Sequence, residues 1–311
     1  MPLLQDRFCG CLLGLAVGDA IGSPLEGMSA DMIFQFFGTA HDLMSAPEDR
    51  FLHYTDDTQM MVGVAQTLLE HGRIVEDALC RRFAANLQPH RGYGGGTLAI
   101  LQALAAGSRW RHLAESLFPG GSFGNGAAMR VAPIGLYFRD DLDRVWAEAR
   151  LSALPTHLHP LGIEGAQLLA TAVALASRYD RFEPGPFYDE LIRRATTDEF
   201  RRLLSTAAEL TPDDSVSILG SGIEAHRSVV TSIACFALSP DHFVDAVGRA
   251  VGLGGDTDTI GAMTGALSGA HLGITRLPAP LIERLENGEM GREAISLLAV
   301  ELCRSASMDV Q

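Results

Sequence analysis

Apolar residues recur along this chain at the spacing of buried helical faces. Two stretches place them at positions i, i+3, i+4 and i+7: Met61, Val64, Ala65 and Leu68, then Ile260, Met263, Thr264 and Leu267. The first of these helices is predicted to end at His71, because Gly72 follows it. No segment of useful length alternates polar and apolar residues, so the pattern indicates helices with almost no strands.

Five further segments are predicted to be helical: 97–107, 161–177, 229–238, 243–251 and 293–303. Thr97 is expected to cap the first, and the second is almost uncharged, as a buried central helix would be. The chain shows no internal repeat and no linker. We therefore predict one all-α domain of about a dozen helices, covering residues 1–311.

Composition agrees with a folded globular protein. The 311 residues are 47% hydrophobic and 20% charged, with a formal net charge of −14. Because phosphate contacts need clusters of Lys and Arg, this acid excess argues against a nucleic acid or an anionic membrane as partner. The five scattered cysteines include no C-x-x-C pair, which favours a reduced, cytoplasmic location.

The apolar stretch from Phe8 to Val17 has two interpretations. It resembles a secretion signal after Arg7, but Asp6 interrupts the basic flank and no clear cleavage site is present. A first core helix is the better prediction. No apolar run is expected to approach the roughly 20 residues needed to cross a bilayer, so no membrane contact is predicted.

Two clusters of acids and threonines each open a predicted helix. One is Thr55-Asp56-Asp57-Thr58, and the other is Asp256-Thr257-Asp258-Thr259, which follows two glycines. Helix capping explains such residues at a helix start, yet one cap residue is enough for one helix. The surplus oxygen atoms suit Mg²⁺, Mn²⁺ or Ca²⁺ rather than zinc. The clusters predict two adjacent metal ions if the fold brings them together.

Two glycine-rich loops are candidates for ligand binding. The glycine-rich loop 120–126 begins a stretch, 120–130, that is expected to enter a helix and to hold a phosphate or diphosphate on its backbone N–H groups. It is not a Walker A loop, since it lacks Gly-Lys-Ser/Thr. The loop 91–97 would act as a lid or contact a ribose. For each loop an ordinary turn is the alternative.

Three more polar side chains lie near these motifs. His157 and His159 precede the long apolar helix, where they would cap or pack, or donate to a phosphate oxygen. Glu26, in a glycine-flanked loop, would act as a base on a water held by the metal. For Asp19 the simplest role is to satisfy backbone donors.

Together the motifs resemble the ADP-ribosylglycohydrolase family, which includes the dinitrogenase-reductase-activating glycohydrolases. The matching stretches are GCLLGLAVGDAIGSPLEG from Gly10, YTDDTQM from Tyr54, RGYGGGT from Arg91, SFGNGAAMRVAPIGL from Ser122, THLHP from Thr156 and GGDTDTIGAMTGA from Gly254. The resemblance implies an all-α domain with a central two-metal cleft, which holds two Mg²⁺ or alternatively Mn²⁺. It also implies removal of ADP-ribose from a modified side chain by cleavage at C1 of the distal ribose.

The resemblance further implies which residues form the site. The metal ligands would be Thr55, Asp56, Asp57, Asp256, Asp258 and Thr259, with Glu26, Asp56 and Asp57 as catalytic acids. Ser122, Gly124 and Gly126 would contact the diphosphate, Asn125 a ribose, and His157 a phosphate or the neighbouring ribose. Phe123 would stack on adenine, and Tyr93, Gly94 and Gly95 would lie beside the distal ribose.

The acceptor of the ADP-ribose is less well defined. Some arginine-directed members of the family carry an acid where this chain has Gly92-Tyr93-Gly94, and an acid there would suit a guanidinium leaving group. Its absence leaves serine or another O-linkage open, with arginine ranked slightly first. We expect a monomer that acts on an ADP-ribosylated protein.

Two other functions fit parts of the pattern. An all-α prenyl synthase or diphosphate lyase also uses two acid clusters with magnesium, but it needs a third acid where this chain has Met60. A non-catalytic ADP-ribose-binding or structural relative is the alternative within the same fold. Such relatives tend to lose metal ligands, and all six are present here. We therefore predict a metal-dependent ADP-ribosylhydrolase.

Overall fold

The computed structural model describes residues 3–45 and 51–308, so residues 1–2, 46–50 and 309–311 of the predicted domain lie outside it. The described chain forms seventeen α-helices and four short 3₁₀ helices, with isolated bridges instead of strands. The helices are α1 (Leu4–Gly22), α2 (Ala30–Phe37), α3 (Ala40–Met44), α4 (Asp56–His71), α5 (Glu76–Asn86), α6 (Gly95–Ala105), α7 (Leu113–Leu117), α8 (Ala132–Tyr137), α9 (Leu142–Ala153), α10 (Pro160–Ala176), α11 (Pro184–Arg194), α12 (Asp198–Ala208), α13 (Ala225–Leu238), α14 (Phe243–Val251), α15 (Thr257–Leu272), α16 (Ala279–Arg284) and α17 (Arg292–Met308). The predicted all-α fold class is confirmed.

The predicted helices lie close to where the periodicity placed them. α4 ends at His71, and Gly72 follows with a left-handed φ of 64°. The prediction for α6 was wrong at its start, because Gly94 is the N-cap and Thr97 lies inside the helix. Glycine has little intrinsic preference for a helix, so a helix that begins at two glycines is hard to recognise from the sequence.

α1 and α15 pack against each other with almost no side chains between them. Gly10, Gly14 and Gly18 of one helix face Gly269, Gly265 and Gly261 of the other. A Cβ atom on Gly18 would lie only 2.1 Å from the carbonyl oxygen of Gly261. Since the contacts run in opposite order along the two helices, the helices are antiparallel. The C-terminal end of α1 therefore meets the N-terminal end of α15, where the second acid cluster lies.

This packing also accounts for the apolar N-terminal segment. The expectation that no apolar run is long enough to cross a bilayer was wrong, because Leu4–Leu25 has the necessary length and composition. In the structure, 89% of the most apolar part of this segment is buried inside the protein. The segment thus forms the core helix that was the preferred interpretation.

Other helices enclose this central pair. α17 packs against α1, while α13 and α14 pack against α15. Every residue of α15 is buried, as are the residues of α1 from Arg7 onward. The two helix ends that border the site are consequently held by backbone contact and by a continuous core.

Candidate active site

Asp19 joins the end of α1 to the start of α4. Its buried carboxylate accepts hydrogen bonds from the backbone N–H groups of Thr55 at 2.9 Å and Thr58 at 3.1 Å. It also accepts one from the Thr58 hydroxyl at 2.6 Å. The interpretation that Asp19 satisfies backbone donors is confirmed. These bonds fix the first turn of α4, which carries the first acid cluster.

The acids of this cluster have different environments. Thr55 is the N-cap of α4, and its hydroxyl donates to Oδ2 of Asp57 at 3.2 Å. Oδ1 of Asp57 is buried and has no hydrogen-bond partner among the described residues. Burial raises the pKa of Asp56 to about 7, and burial together with the charge of Asp19 raises the pKa of Asp57. Capping, the simpler explanation for this cluster, therefore accounts for Thr55 but not for the two acids.

The second cluster is held against the loop that carries Glu26. Gly254 and Gly255 adopt left-handed φ values of 73° and 80°. The Gly255 N–H donates to the carbonyl of Met28 at 2.9 Å, and the Gly255 carbonyl accepts from the N–H of Gly27 at 2.8 Å. These φ values disfavour residues with a side chain, so glycine is suited to both positions. The two backbone hydrogen bonds then hold the loop that carries Glu26 beside the start of α15.

Glu26, Asp256 and Asp258 form a three-acid group in which one carboxylate oxygen from each residue lies within 4.8 Å of the other two. Glu26 is exposed, whereas the two aspartates are buried. Burial and the charge of Asp256 raise the pKa of Asp258 to about 9. The charges of Asp256 and Asp258 also raise the pKa of Asp57. The fold therefore brings the two acid clusters close enough for their charges to interact, as the prediction of a shared metal site required.

The loop 91–95 covers the first cluster. The N–H of Asp56 donates to the carbonyl of Arg91 at 2.8 Å. Gly92 has a φ of 85°, and a Cβ atom there would lie 3.9 Å from Oδ1 of Asp56. Tyr93 is buried, and its hydroxyl donates to Oε1 of Gln59 at 2.6 Å. Gly94 and Gly95 are exposed at the start of α6.

The loop 120–126 reaches the second cluster through Asn125. The Asn125 amide donates to Oδ2 of Asp256 and to the hydroxyl of Ser228. The hydroxyl oxygen of Ser122 accepts from the N–H of Gly124 at 3.2 Å. The stretch 120–130 leads into α8, which begins at Ala132, but residues 126–130 form turns that separate the glycines from the helix end. Turn N–H groups would therefore replace the helix end in binding an anion.

His157 lies directly beneath this loop. A Cβ atom on Gly126 would be 3.4 Å from Nε2 of His157, and one on Gly124 would be 3.7 Å from it. Burial, with the nearby charge of Arg130, lowers the pKa of His157 to about 3. The imidazole is therefore neutral near pH 7.

Phe123 and His159 lie at the outer side of the same loop. Phe123 is 47% exposed, and its ring meets that of His159 edge to face at 5.9 Å. Nδ1 of His159 accepts from the N–H of Leu161 and so caps α10. An exposed aromatic face such as that of Phe123 is suited to stacking on a planar ring.

Sequence reasoning did not assign a role to Gln59 or Arg130. Both are buried, Gln59 beneath Tyr93 and Arg130 beneath the loop 120–126. Each stood inside a quoted motif, but nothing in the local pattern showed that its side chain points inward. Burial of a polar side chain among loops is visible only in the fold.

Comparisons with known proteins point to one family. The family model described as ADP-ribosylglycohydrolase matches residues 1–309. The chain is 36% identical to the ADP-ribosylhydrolase ARH3 of Danio rerio, over 89% of this chain and 85% of the relative. It is 28% identical to the ADP-ribosylarginine hydrolase Tri1 of Serratia proteamaculans, over 96% of this chain and 79% of the relative. A solved structure titled ADP-ribosylglycohydrolase-related protein complex superposes with a TM-score of 0.74 at 26% identity, covering 97% of this chain and 99% of that one.

The chain belongs to the ADP-ribosylglycohydrolase family. It is a glycosyl hydrolase that acts on ADP-ribose. The ends of α1, α4 and α15, together with the loops 91–95 and 120–126, are the place in this fold where the acids of the two clusters meet.

Proposed function

We propose that this enzyme is a divalent-metal-dependent hydrolase that releases ADP-ribose from a modified protein side chain. The observation that carries the proposal is the proximity of five acids to one another. Glu26, Asp256 and Asp258 each place one carboxylate oxygen within 4.8 Å of the others, and Asp56 and Asp57 share their electrostatic field. So many adjacent carboxylates repel one another strongly unless cations or protons balance them.

The described residues fit a pair of divalent cations. Carboxylate and hydroxyl oxygens are the ligands that Mg²⁺ and Mn²⁺ prefer. Asp57 offers a buried oxygen with no hydrogen-bond donor, which suits a cation better than any neutral partner. We infer that Thr55, Asp56, Asp57, Asp256, Asp258 and Thr259 hold two Mg²⁺, with Mn²⁺ as the alternative. When bound, the ions would supply positive charge that orients water and stabilises charge on the leaving group.

The residues around this centre would position the substrate. Turn N–H groups of loop 120–126 and the imidazole of His157 face the place proposed for the diphosphate. Phe123 offers its exposed ring to adenine. The loop 91–95 lies over Asp56, so Tyr93 would border the distal ribose. Asn125 holds Asp256 through its amide, so its ribose contact would be made by its remaining atoms.

Hydrolysis then needs a base near C1 of the distal ribose. Glu26 is exposed at the edge of the three-acid group, where its carboxylate can accept a proton from water. The water oxygen forms a bond to C1, the bond from C1 to the acceptor atom breaks, and the proton that Glu26 took from the water passes to the departing acceptor. The products are ADP-ribose and the unmodified side chain.

The finer part of the proposal is the identity of the side chain to which ADP-ribose is linked. The name of the Serratia proteamaculans relative specifies ADP-ribosylarginine, which supports ranking arginine first. The loop Gly92-Tyr93-Gly94 offers no carboxylate to a guanidinium, so serine or another O-linkage is the alternative. A direct comparison of the two linkages decides between them.

The test is release of ADP-ribose from matched arginine- and serine-modified peptides. We expect turnover with Mg²⁺ or Mn²⁺ and its loss in excess chelator, with recovery when metal is added back. Asp56→Ala and Asp258→Ala should be inactive, while the exposed Asp213→Asn should behave like the wild type. Full activity in chelator or in both Ala variants would refute metal dependence, and binding without turnover would favour a non-catalytic binder.

A further inference from the structure

Arg130 is a buried cation that hydrogen-bonds only to neutral groups among the contacts described. Its side chain is fully buried. It donates to the carbonyl of Gly126 at 3.1 Å, to the carbonyl of Ser152 at 2.7 Å and to the Thr156 hydroxyl at 2.9 Å. Burial lowers the pKa of Arg130 to about 10, so it stays charged near pH 7. A charge kept in such surroundings points to a role beyond packing.

The contact with Thr156 continues to His157. Oγ1 of Thr156 lies 2.7 Å from Nδ1 of His157. Because Arg130 can only donate, it occupies a lone pair of the hydroxyl oxygen and leaves the hydroxyl proton free. That proton has two possible acceptors, Nδ1 of His157 and the carbonyl of Ala153.

The carbonyl of Ala153 is the poorer of these acceptors. It already accepts backbone hydrogen bonds from Thr156 at 3.0 Å and His157 at 2.9 Å. A carbonyl oxygen has two lone pairs, and the hydroxyl lies 3.5 Å away. The hydroxyl proton therefore goes to Nδ1 of His157. A neutral imidazole that accepts at Nδ1 carries its proton on Nε2.

We propose that Arg130 and Thr156 act as positioning residues that fix His157 as an Nε2–H donor toward the diphosphate. This inference rests on the proposed function, because it takes the loop 120–126 as the diphosphate site. The ring edge formed by Nε2 and Cε1 lies beside Gly124 and Gly126: a Cβ atom on Gly124 would be 3.7 Å from Nε2, and one on Gly126 would be 3.0 Å from Cε1 and 3.4 Å from Nε2. The opposite tautomer would turn a lone pair toward the phosphate oxygens. Arg130 also adds a positive charge beneath the same loop, and since it makes no ion pair among the described residues, an anionic ligand would balance it.

The tautomer can be measured directly by ¹⁵N NMR of histidine-labelled protein at pH 8. We expect His157 to be the Nε2–H form in the wild type and in Thr156→Ser, which keeps the hydroxyl. Thr156→Asp puts a carboxylate at Nδ1 and should give the Nδ1–H form, with Arg130 balancing the new charge. Thr156→Val removes the hydroxyl without adding charge and should give a mixture of both forms.

The affinity for ADP-ribose should depend on which tautomer His157 adopts. For ADP-ribose we expect Kd to rise about tenfold in Thr156→Asp and to stay within about twofold of the wild type in Thr156→Ser. Adenosine, which has no phosphate, should show little change. An Nδ1–H tautomer in the wild type would overturn the proposal. So would an unchanged Kd in Thr156→Val and Thr156→Asp.

The experiment also separates this proposal from the proposed function. The tautomer is read in the ligand-free protein and needs neither metal nor turnover, so it decides the inference even if Thr156→Asp does not fold. Inorganic pyrophosphate serves as a second probe. One outcome is that the protein binds pyrophosphate with the same dependence on Thr156 and yet neither binds nor cleaves ADP-ribose derivatives. That result would support the positioning role of Arg130 and Thr156 and refute the proposed substrate.

Discussion

The carboxylate of Asp19 accepts a 2.6 Å hydrogen bond from the hydroxyl of Thr58 deep inside the protein. Asp19 also accepts the backbone N–H groups of Thr55 and Thr58. One residue of α1 therefore determines where α4 begins. The acids of the first cluster, Asp56 and Asp57, lie between the two threonines that it holds.

Replacement of Asp19 should test this relationship. Asp19→Ala would leave three buried donors without a partner, so the free energy of unfolding should fall by about 3 kcal/mol or more. Asp19→Asn keeps one acceptor oxygen and should cost less. Denaturant unfolding in excess chelator measures both values without a contribution from metal. Wild-type stability for Asp19→Ala would show that α4 begins correctly without this contact.

The contact between α1 and α15 makes a second prediction. A Cβ atom in Gly18→Ala would lie 2.1 Å from the carbonyl oxygen of Gly261, so the helices must separate. We expect the free energy of unfolding to fall by roughly 2 kcal/mol or more and activity to fall with it. Gly185→Ala is the matched control, because nothing lies within 4 Å of its new methyl group. The idea fails if thermal unfolding and activity of the two variants are alike.

His157 should make the protein sensitive to mild acid. Its pKa is lowered to about 3 in the folded state, while the unfolded chain titrates near 6.5. Between these values the unfolded state binds more protons, so stability falls as the pH drops through this range. By pH 5 the titration of His157 should lower the free energy of unfolding by about 2 kcal/mol.

The measurement is the difference in unfolding free energy between the wild type and His157→Gln at pH 8 and pH 5. The glutamine variant should lose less stability on acidification, since it lacks the titrating group. An equal loss in both proteins would mean that the imidazole is protonated in the folded state or titrates in the same way in both states.

Phe123 should contribute to binding without contributing to folding. Its ring is 47% exposed and contacts His159 only at an edge. Phe123→Ala should raise the Kd for ADP-ribose about tenfold, as expected for the loss of one stacked ring, and leave the unfolding temperature nearly unchanged. Phe34→Ala is the control, because Phe34 is also exposed but lies on α2. Equal affinities of the two variants would exclude stacking on Phe123.

The helical pattern and the two acid clusters could be predicted because their signals are local. Period and capping residues predicted α4 and α14 within a residue or two. The start of α6 could not be predicted, because glycines at Gly94 and Gly95 carry no capping side chain. The turns at residues 126–130, which separate the loop 120–126 from α8, likewise left no local signal.

The contacts between segments far apart in the sequence could not be predicted. Asp19 shows only as one acid after an apolar run, and its partners lie on another helix. Arg130 appears in the motif as a charged residue next to Met129, with nothing to show that it is fully buried. Such roles depend on tertiary contacts between residues far apart in sequence, which periodicity does not record.

The glycine contacts between α1 and α15 also determine which parts of this enzyme can change. Side chains adjust by rotating, but two helices in backbone contact leave no rotamer to adjust at that interface. The spacing between Asp19 and the acids of α15 is therefore set by main-chain geometry alone. We expect variation in substrate preference instead in the loops 91–95 and 120–126, which border the same acids without being part of that interface. The contact between α1 and α15 thus fixes the positions of the acids on these two helices, while the loops 91–95 and 120–126 are free to differ in the substrates that they accept.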